Sequence, residues 1–243
     1  MSKVVIEIKD MTLILGGRTI LSIPYFALLE GQAVSLMGPN GAGKSSLMLV
    51  MATLLEPTSG IVSCFGKPVK EQSVLQLRRR MTMVFQKPMM LDLSVMENIE
   101  MGLKFRGLSR KERERLVTPW LERFNITHLV KQRARSLSGG EAQRVAIAQA
   151  MVLQPEVLFL DEPFSNLDKE TRDEFKQDIG RILRELRITT VMVTHHIREA
   201  TDLTDIIYNM EDGEIVSQQS VKDCGFKDRP LFFPNSVQGK EPQ

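Results

Sequence analysis

The octapeptide Gly38-Pro39-Asn40-Gly41-Ala42-Gly43-Lys44-Ser45 constrains this chain more than any other stretch, because it fits the pattern G-x-x-x-x-G-K-[ST] with the flanks such a loop requires. Ala33 to Met37 before it reads as a short buried strand, and Ser46 to Leu55 after it reads as a helix rich in good helix formers. Strand, glycine loop and helix together cradle a polyphosphate. Bare glycines let backbone N–H groups turn inward, and the helix N-terminus adds the positive end of a dipole. Residues Gly38 to Ser46 form that cradle, with Lys44 reaching the terminal phosphates and the Ser45 hydroxyl placed to ligate Mg²⁺. A nucleoside triphosphate site is implied.

A chain of 243 residues with 42% hydrophobic content buries a full core. Its 32 basic and 30 acidic residues leave a net charge of +2, which gives no support to a nucleic-acid partner. The basic run Arg78–Arg80 and the alternating run Arg110–Arg115 are expected on the surface. Cys64 and Cys224 are too few for a disulfide framework and are expected as free thiols of a reducing compartment. The opening Met1–Asp10 alternates apolar and charged residues like a half-exposed strand, unlike a signal peptide. No window reaches the roughly 18 apolar residues that a membrane span needs, so work at a membrane would require another chain as anchor.

Val4 to Phe65 is strand-rich, interrupted by Gly16-Gly17, by Pro24 and by the phosphate loop, with Glu30-Gly31 turning into the loop strand. Met81 to Phe85 is a further short strand. From Ser94 to Leu153 the periodicity turns helical, with Val95, Ile99, Leu103 and Phe105 in one segment and Leu116, Trp120, Leu121 and Phe124 in the next. Val157–Leu160 and Thr189–Thr194 then return as strands around a charged helix from Lys169 to Leu186. Ile206–Met210 and Glu214–Val216 flank the hairpin turn Glu211-Asp-Gly213. The fold expected is α/β with a mainly parallel core sheet, an N-terminal antiparallel β region and an inserted helical subdomain. Its core would comprise residues 1–87 and 155–220 and its helical part 88–154, with an irregular tail over 221–243.

A phosphate loop needs a metal anchor and a group that orients water. Val157-Leu-Phe-Leu160 is followed at once by Asp161 and Glu162, so Asp161 can hold the Mg²⁺ shell while Glu162 polarises an attacking water. Two acids after an apolar strand are equally an ordinary turn; the phosphate loop favours the functional assignment. Leu137-Ser138-Gly139-Gly140-Glu141-Ala-Gln-Arg144 comes in between. Ser138-x-x-Glu141 is locally a capping box opening a helix through Val145, Ile147 and Met151. The stretch also resembles the signature loop of the ATP-binding cassette family, usually written LSGGQ. Gln86 after its strand resembles that family's Q-loop, Asp161 and Glu162 its Walker B pair, Ser165–Asp168 its D-loop and His195 its switch histidine. The ordered resemblance runs from about Val4 to Val216.

The resemblance implies that ATP and Mg²⁺ are held by Lys44 and Ser45, with Asp161 and Gln86 at the metal. Gln86 would sense metal and lytic water, Glu162 would act as base, and His195 would contact the γ-phosphate. It further implies a head-to-tail dimer in which Ser138, Gly139 and Gly140 of one copy close on the ATP of the other, with Asp168 at the seam. Three departures stand out. Glu141 replaces the usual Gln and places a negative charge near a phosphate, Leu15-Gly16 stands where an aromatic-Gly pair often stacks on adenine, and His196 follows His195 where an acid is usual.

As for what the nucleotide site drives, the family resemblance implies the energising subunit of a transporter at the cytoplasmic face of the membrane. Its partners would be a transmembrane permease subunit, a second copy of the chain and an extracytoplasmic solute-binding protein. The alternative is a soluble cassette ATPase of nucleic-acid or translation machinery, a kind that usually carries a long coiled-coil insertion or two cassettes; this sequence shows neither. Lys87 to Met96, rich in adaptable methionine, is the expected permease surface. A free-standing cassette without fused transmembrane helices is similar to bacterial importer subunits, and the lack of a substantial domain after Val216 sets it apart from importer cassettes that carry a regulatory tail domain. Phe85–Leu91 and Leu137–Val145 look most like tungstate or molybdate-type oxyanion importers.

Overall fold

The computed structural model describes residues 3–165 and 167–221. Asn166 of the Ser165–Asp168 segment, Cys224 and the tail beyond Val221 lie outside the described residues. In chain order the elements are β1 (Val4–Leu15), β2 (Arg18–Leu29), β3 (Ala33–Met37), α1 (Lys44–Met51), β4 (Ser59–Cys64) and β5 (Lys67–Pro68). They continue with α2 (Val74–Arg80), β6 (Met81–Val84), α3 (Val95–Phe105), α4 (Arg110–Arg123), α5 (Gly139–Met151) and β7 (Val157–Asp161). The last are α6 (Lys169–Leu186), β8 (Thr189–Val193), α7 (Ile197–Leu203), β9 (Ile206–Glu211) and β10 (Glu214–Ser220).

The first sheet is antiparallel, in the order β2-β1-β4-β5. Alternation in β1 buries Ile6 and Ile8 and leaves Lys9 exposed, and the left-handed Asp10 (φ 48°) shifts the phase so that Met11 and Leu13 join the same core. Pro24 does not interrupt β2 as the sequence suggested. β2 is the outer strand of this sheet, and the Ser22 N–H, two residues away on the same side, points outward to Gly213 O at 2.9 Å. The N–H that Pro24 lacks therefore costs no ladder bond.

The second sheet runs β10-β9-β3-β8-β7-β6, parallel except for β10. Its inner strands are buried on both faces and so read as continuous apolar runs. Alternate residues serve two cores. Val157, Phe159, Val191 and Val193 join α1 and the antiparallel sheet, while Leu158, Leu160 and Met192 join α3, α4, α5 and α6 on the other side. The helical segment thus shares its core with one face of the parallel sheet. Among the described residues no helix is long and apolar enough to cross a membrane.

Helix α1 ends at Met51, short of the apolar run that continues to Leu55. Thr53 turns left-handed at φ 59°, and Leu54 N–H and Thr53 N–H close back on Leu49 O and Val50 O. That is a Schellman ending, which overrides the local helix propensity. Most residues of the two charged runs lie on the surface as expected, with Arg80 and Arg113 partly buried, and several of their side chains are tied into the fold. Arg80 makes a two-pronged bond to Glu156 at 2.5 and 2.6 Å and lies 3.3 Å over the Phe65 ring, while Arg78 donates to Thr53 O. Arg113 pairs with Glu100 at 3.0 Å in a largely buried position, and only Arg110–Glu114 is the exposed i,i+4 pair that alternation suggests. Cys64 is fully buried, and burial pushes its thiol up to about 12, so it is an inert core residue.

Candidate functional site

The phosphate loop links the buried strand β3 to α1, and its stereochemistry is specific to glycine. Gly38 has φ +144°, and a Cβ there would lie 2.1 Å from the Met210 carbonyl oxygen on neighbouring β9. Ala42 is buried beneath the loop, and its carbonyl accepts from the Gly213 N–H, while Pro39, Asn40, Gly41 and Ser45 are exposed. Ser46 is half-buried on the first turn of α1. Lys44 is 7% exposed, folded back so that Nζ donates to Gly38 O at 2.9 Å and Pro39 O at 2.8 Å. Burial lowers its pKa, against the upward pull of the Glu162 and Asp161 carboxylates.

The other groups come from the carboxyl ends of adjacent parallel strands, where open α/β sheets place their ligand sites. Asp161 ends β7, and Ser45 Oγ lies 3.3 Å from its Oδ1. Desolvation raises the Asp161 pKa, the neighbouring Glu162 charge adding to this, while the Ser45 hydroxyl and Lys44 oppose it. Glu162 leaves the strand at φ +44°, anchored by its N–H to Val193 O. Its carboxylate accepts from Gln86 Nε2 at 2.9 Å, and its other oxygen lies 3.4 Å from His195 Nδ1. Lys44, Ser45, Gln86, Asp161, Glu162 and His195 therefore form one cluster, although the sequence spreads them over some 150 positions. The His196 ring lies beside that of His195, centroids 4.0 Å apart and tilted by 43°, and no hydrogen bond or ion pair joins it to Glu162 among the described residues.

A hydroxyl and a carboxylate facing each other at the loop mouth fit Mg²⁺, a hard cation that takes a few protein oxygens and completes its shell with phosphates and water. No group of three or more His, Cys, Asp or Glu side chains suited to a metal occurs among the described residues, and such a shell does not need one.

Ser138, Gly139 and Gly140 share no hydrogen bond with this cluster among the described residues. They open α5, with Leu167 and Thr171 beside Gly140. Ser138 N–H and Oγ both donate to Glu141 Oε2, at 2.8 and 2.7 Å, and the Glu141 N–H returns to Ser138 Oγ. The Ser138 donors hold the Glu141 carboxyl below the usual range. Its charge is thus engaged at its own helix end. Asp168 caps α6 by accepting from the Thr171 N–H at 3.1 Å. Leu15 and Ile14 are exposed at the end of β1, and the following hairpin packs against Gly43 through Ile20 and Leu21.

Two features escaped the sequence reading. Ser94-x-x-Glu97 and Ser109-x-x-Glu112 are capping boxes like that of Ser138, and the S-x-x-E spacing was the signal for both. The second is the buried Thr194–Glu199 pair behind His195, whose partners lie five residues apart in no recognisable motif.

Residues 22–165, more than half of the chain, match the ABC transporter family. The chain is 33% identical over 229 residues to the Fe(3+) ions import ATP-binding protein FbpC of Pasteurella multocida, covering 94% of this chain and 65% of that protein. It is 37% identical over 221 residues to the molybdate/tungstate import ATP-binding protein WtpC of Thermococcus kodakarensis, covering 88% and 66%. The chain thus spans about two thirds of the length of these relatives. Among solved structures it resembles cbiO1 from Clostridium perfringens, part of the ABC transporter complex cbiONQ, with TM-score 0.83 and 28% identity over 91% of this chain and 90% of that one. It also resembles MJ0796, a bacterial ABC transporter cassette solved as a dimer, with TM-score 0.81 and 29% identity over 89% and 99%. With the cluster around Lys44 and Glu162 and these matches in hand, the chain belongs to the ABC transporter family.

Proposed function

We propose that this chain is the ATP-binding and ATP-hydrolysing subunit of a transporter, energising import of a small inorganic ion across the cytoplasmic membrane. The observation that carries the proposal is the convergence of Lys44, Ser45, Asp161, Glu162, Gln86 and His195 at the ends of neighbouring parallel strands. In it the N–H groups of residues 38–45 and the Lys44 ammonium bind the phosphates, which replace the Gly38 and Pro39 carbonyls as partners of Nζ. Ser45 and Asp161, with Gln86 beside them, would hold Mg²⁺, which supplies charge neutralisation at the phosphates. Glu162 polarises the attacking water, Gln86 and His195 fix the direction of its carboxylate, and His195 contacts the γ-phosphate. The exposed aliphatic pair Ile14 and Leu15 offers the base an apolar surface without an aromatic ring.

Because the Ser138 end of α5 does not join this cluster, a second copy would deliver Ser138, Gly139 and Gly140 to the bound nucleotide, with Asp168 near the seam. The dimeric structure of MJ0796 supports the pairing of two copies. A permease subunit would dock on the exposed Phe85, Met89 and Leu91, holding the chain at the cytoplasmic face. An extracytoplasmic binding protein would deliver the solute. Relatives named for Fe(3+) and for molybdate/tungstate import support an inorganic ion, with a tungstate-type oxyanion as the narrower proposal.

The deciding experiment purifies the chain with its permease and measures ATP turnover with solute-loaded binding proteins. Stimulation by a binding protein carrying an oxyanion or metal ion is expected. Stimulation by DNA or ribosomes would replace the proposal with the soluble-ATPase alternative.

A further inference from the structure

The turn carrying His195 is built around a buried polar pair rather than around an ordinary cap. His196 precedes α7 as its N-cap residue but provides no side-chain cap bond. Thr194, 1% exposed, instead donates its hydroxyl to Glu199 Oε2 at 2.5 Å and accepts the His196 N–H at 3.1 Å. The Glu199 N–H returns to His196 O at 3.0 Å. Residues 194 to 199 thus close a ring of three hydrogen bonds, and half-exposed His195 is carried on it with Nδ1 turned to Glu162.

Closing the turn alone does not explain the residues chosen. Glu199 is 4% exposed, and its Oε1 has no hydrogen-bond partner. A buried carboxylate satisfied on one oxygen costs stability, and an apolar pair of the same shape would pack there at least as well. We propose that Thr194 and Glu199 are positioning residues for ATP turnover: their ring fixes the backbone of His195 so that its imidazole meets the Glu162 carboxylate. The inference rests on the roles proposed above for Glu162 and His195.

The double variant Thr194→Val/Glu199→Met replaces both side chains of the pair by apolar groups of similar shape, and leaves the His196 N–H as the one group that loses its acceptor. In the full chain it is expected to melt within about 5 °C of wild type, to keep the ATP KM within about twofold, and to lose about tenfold in kcat, a loss in keeping with a misplaced group. Thr194→Ser, which keeps the hydroxyl, should hold kcat within about twofold of wild type. In a His195→Ala background the double variant should cause no further loss. Wild-type kcat in the double variant, or an undiminished tenfold loss in the His195→Ala background, would overturn the inference alone. Wild-type turnover in His195→Ala itself would remove the role proposed for His195 and this inference with it. If Thr194→Ser, which keeps all three hydrogen bonds, loses as much kcat as the double variant, the ring is not what places His195, and the inference is likewise overturned.

Discussion

Two glycines of the phosphate loop, three residues apart, should respond very differently to alanine. At Gly38 an added Cβ would sit 2.1 Å from the Met210 carbonyl oxygen, about 1 Å inside any tolerated contact. The obstacle is backbone, and Met210 lies on β9, whose neighbouring Asn209 pairs with Met37 of β3. Relief therefore requires prising apart two central strands. Overpacking of this kind costs about 1–3 kcal/mol, and alanine at a positive φ adds about 1–2 kcal/mol. Gly41 has φ +87° but nothing within 4 Å of its added Cβ, so only the backbone penalty of about 1–2 kcal/mol applies. Against a whole-domain stability of about 5–15 kcal/mol, Gly38→Ala should shift the urea midpoint well below that of Gly41→Ala, with similar denaturant slopes. Equal midpoints for the two variants would show that β9 yields freely and would refute the steric argument.

Glu162→Gln should retain ATP binding while turnover falls about 10²–10⁴-fold, the usual worth of a general base; turnover near wild type in a steady-state phosphate-release assay would take Glu162 out of that role. Met89→Asp, at a side chain 83% exposed, should weaken permease docking by up to about 2–3 kcal/mol, read as loss of permease-stimulated turnover; unchanged stimulation would move the docking surface elsewhere. Met90 is unsuited to that test because it packs against the helical core. Glu141→Gln should be less stable than wild type at neutral pH and lose that deficit in acid. A depressed folded-state carboxyl contributes stability above its usual value of 4.5 and loses it as pH falls through the folded value; a urea-midpoint difference that does not shrink as the pH is lowered from neutral into acid would contradict this.

The strands and helices were largely legible because their periodicities are strong: α6 runs from Lys169 to Leu186 as its charged amphipathic pattern indicates. The errors came where a single backbone conformation overruled a trend. Thr53 ended α1 inside an apolar run, and Pro24 sat harmlessly on an edge that the sequence does not mark. Met89 and Met90 look alike in the sequence, yet only the first faces solvent, since neighbouring residues of a loop carry no periodicity to sort them. The loop and carboxylate residues of the site were legible as motifs. Their convergence was a matter of topology, which sets β6, β7 and β8 side by side.

The division of labour proposed for Asp161 and Glu162 depends on one backbone angle. Successive residues of an extended strand point to opposite faces, so two adjacent acids in β7 could not both address the space above its end. Asp161 keeps strand geometry, pairs with Val193, and turns to Ser45 and Lys44. Glu162 takes φ +44°, a conformation that costs a non-glycine residue of order 1–3 kcal/mol, and its N–H bond to Val193 O holds it there. The turn redirects its carboxylate to Gln86 and His195. The metal-facing and water-facing roles proposed for the two acids can then fall to consecutive residues without competition for the same partners. A glycine at 162 would relax the turn but remove the carboxylate, and a straight strand would keep the carboxylate but aim it away, so the strain belongs to the site and not to the fold around it.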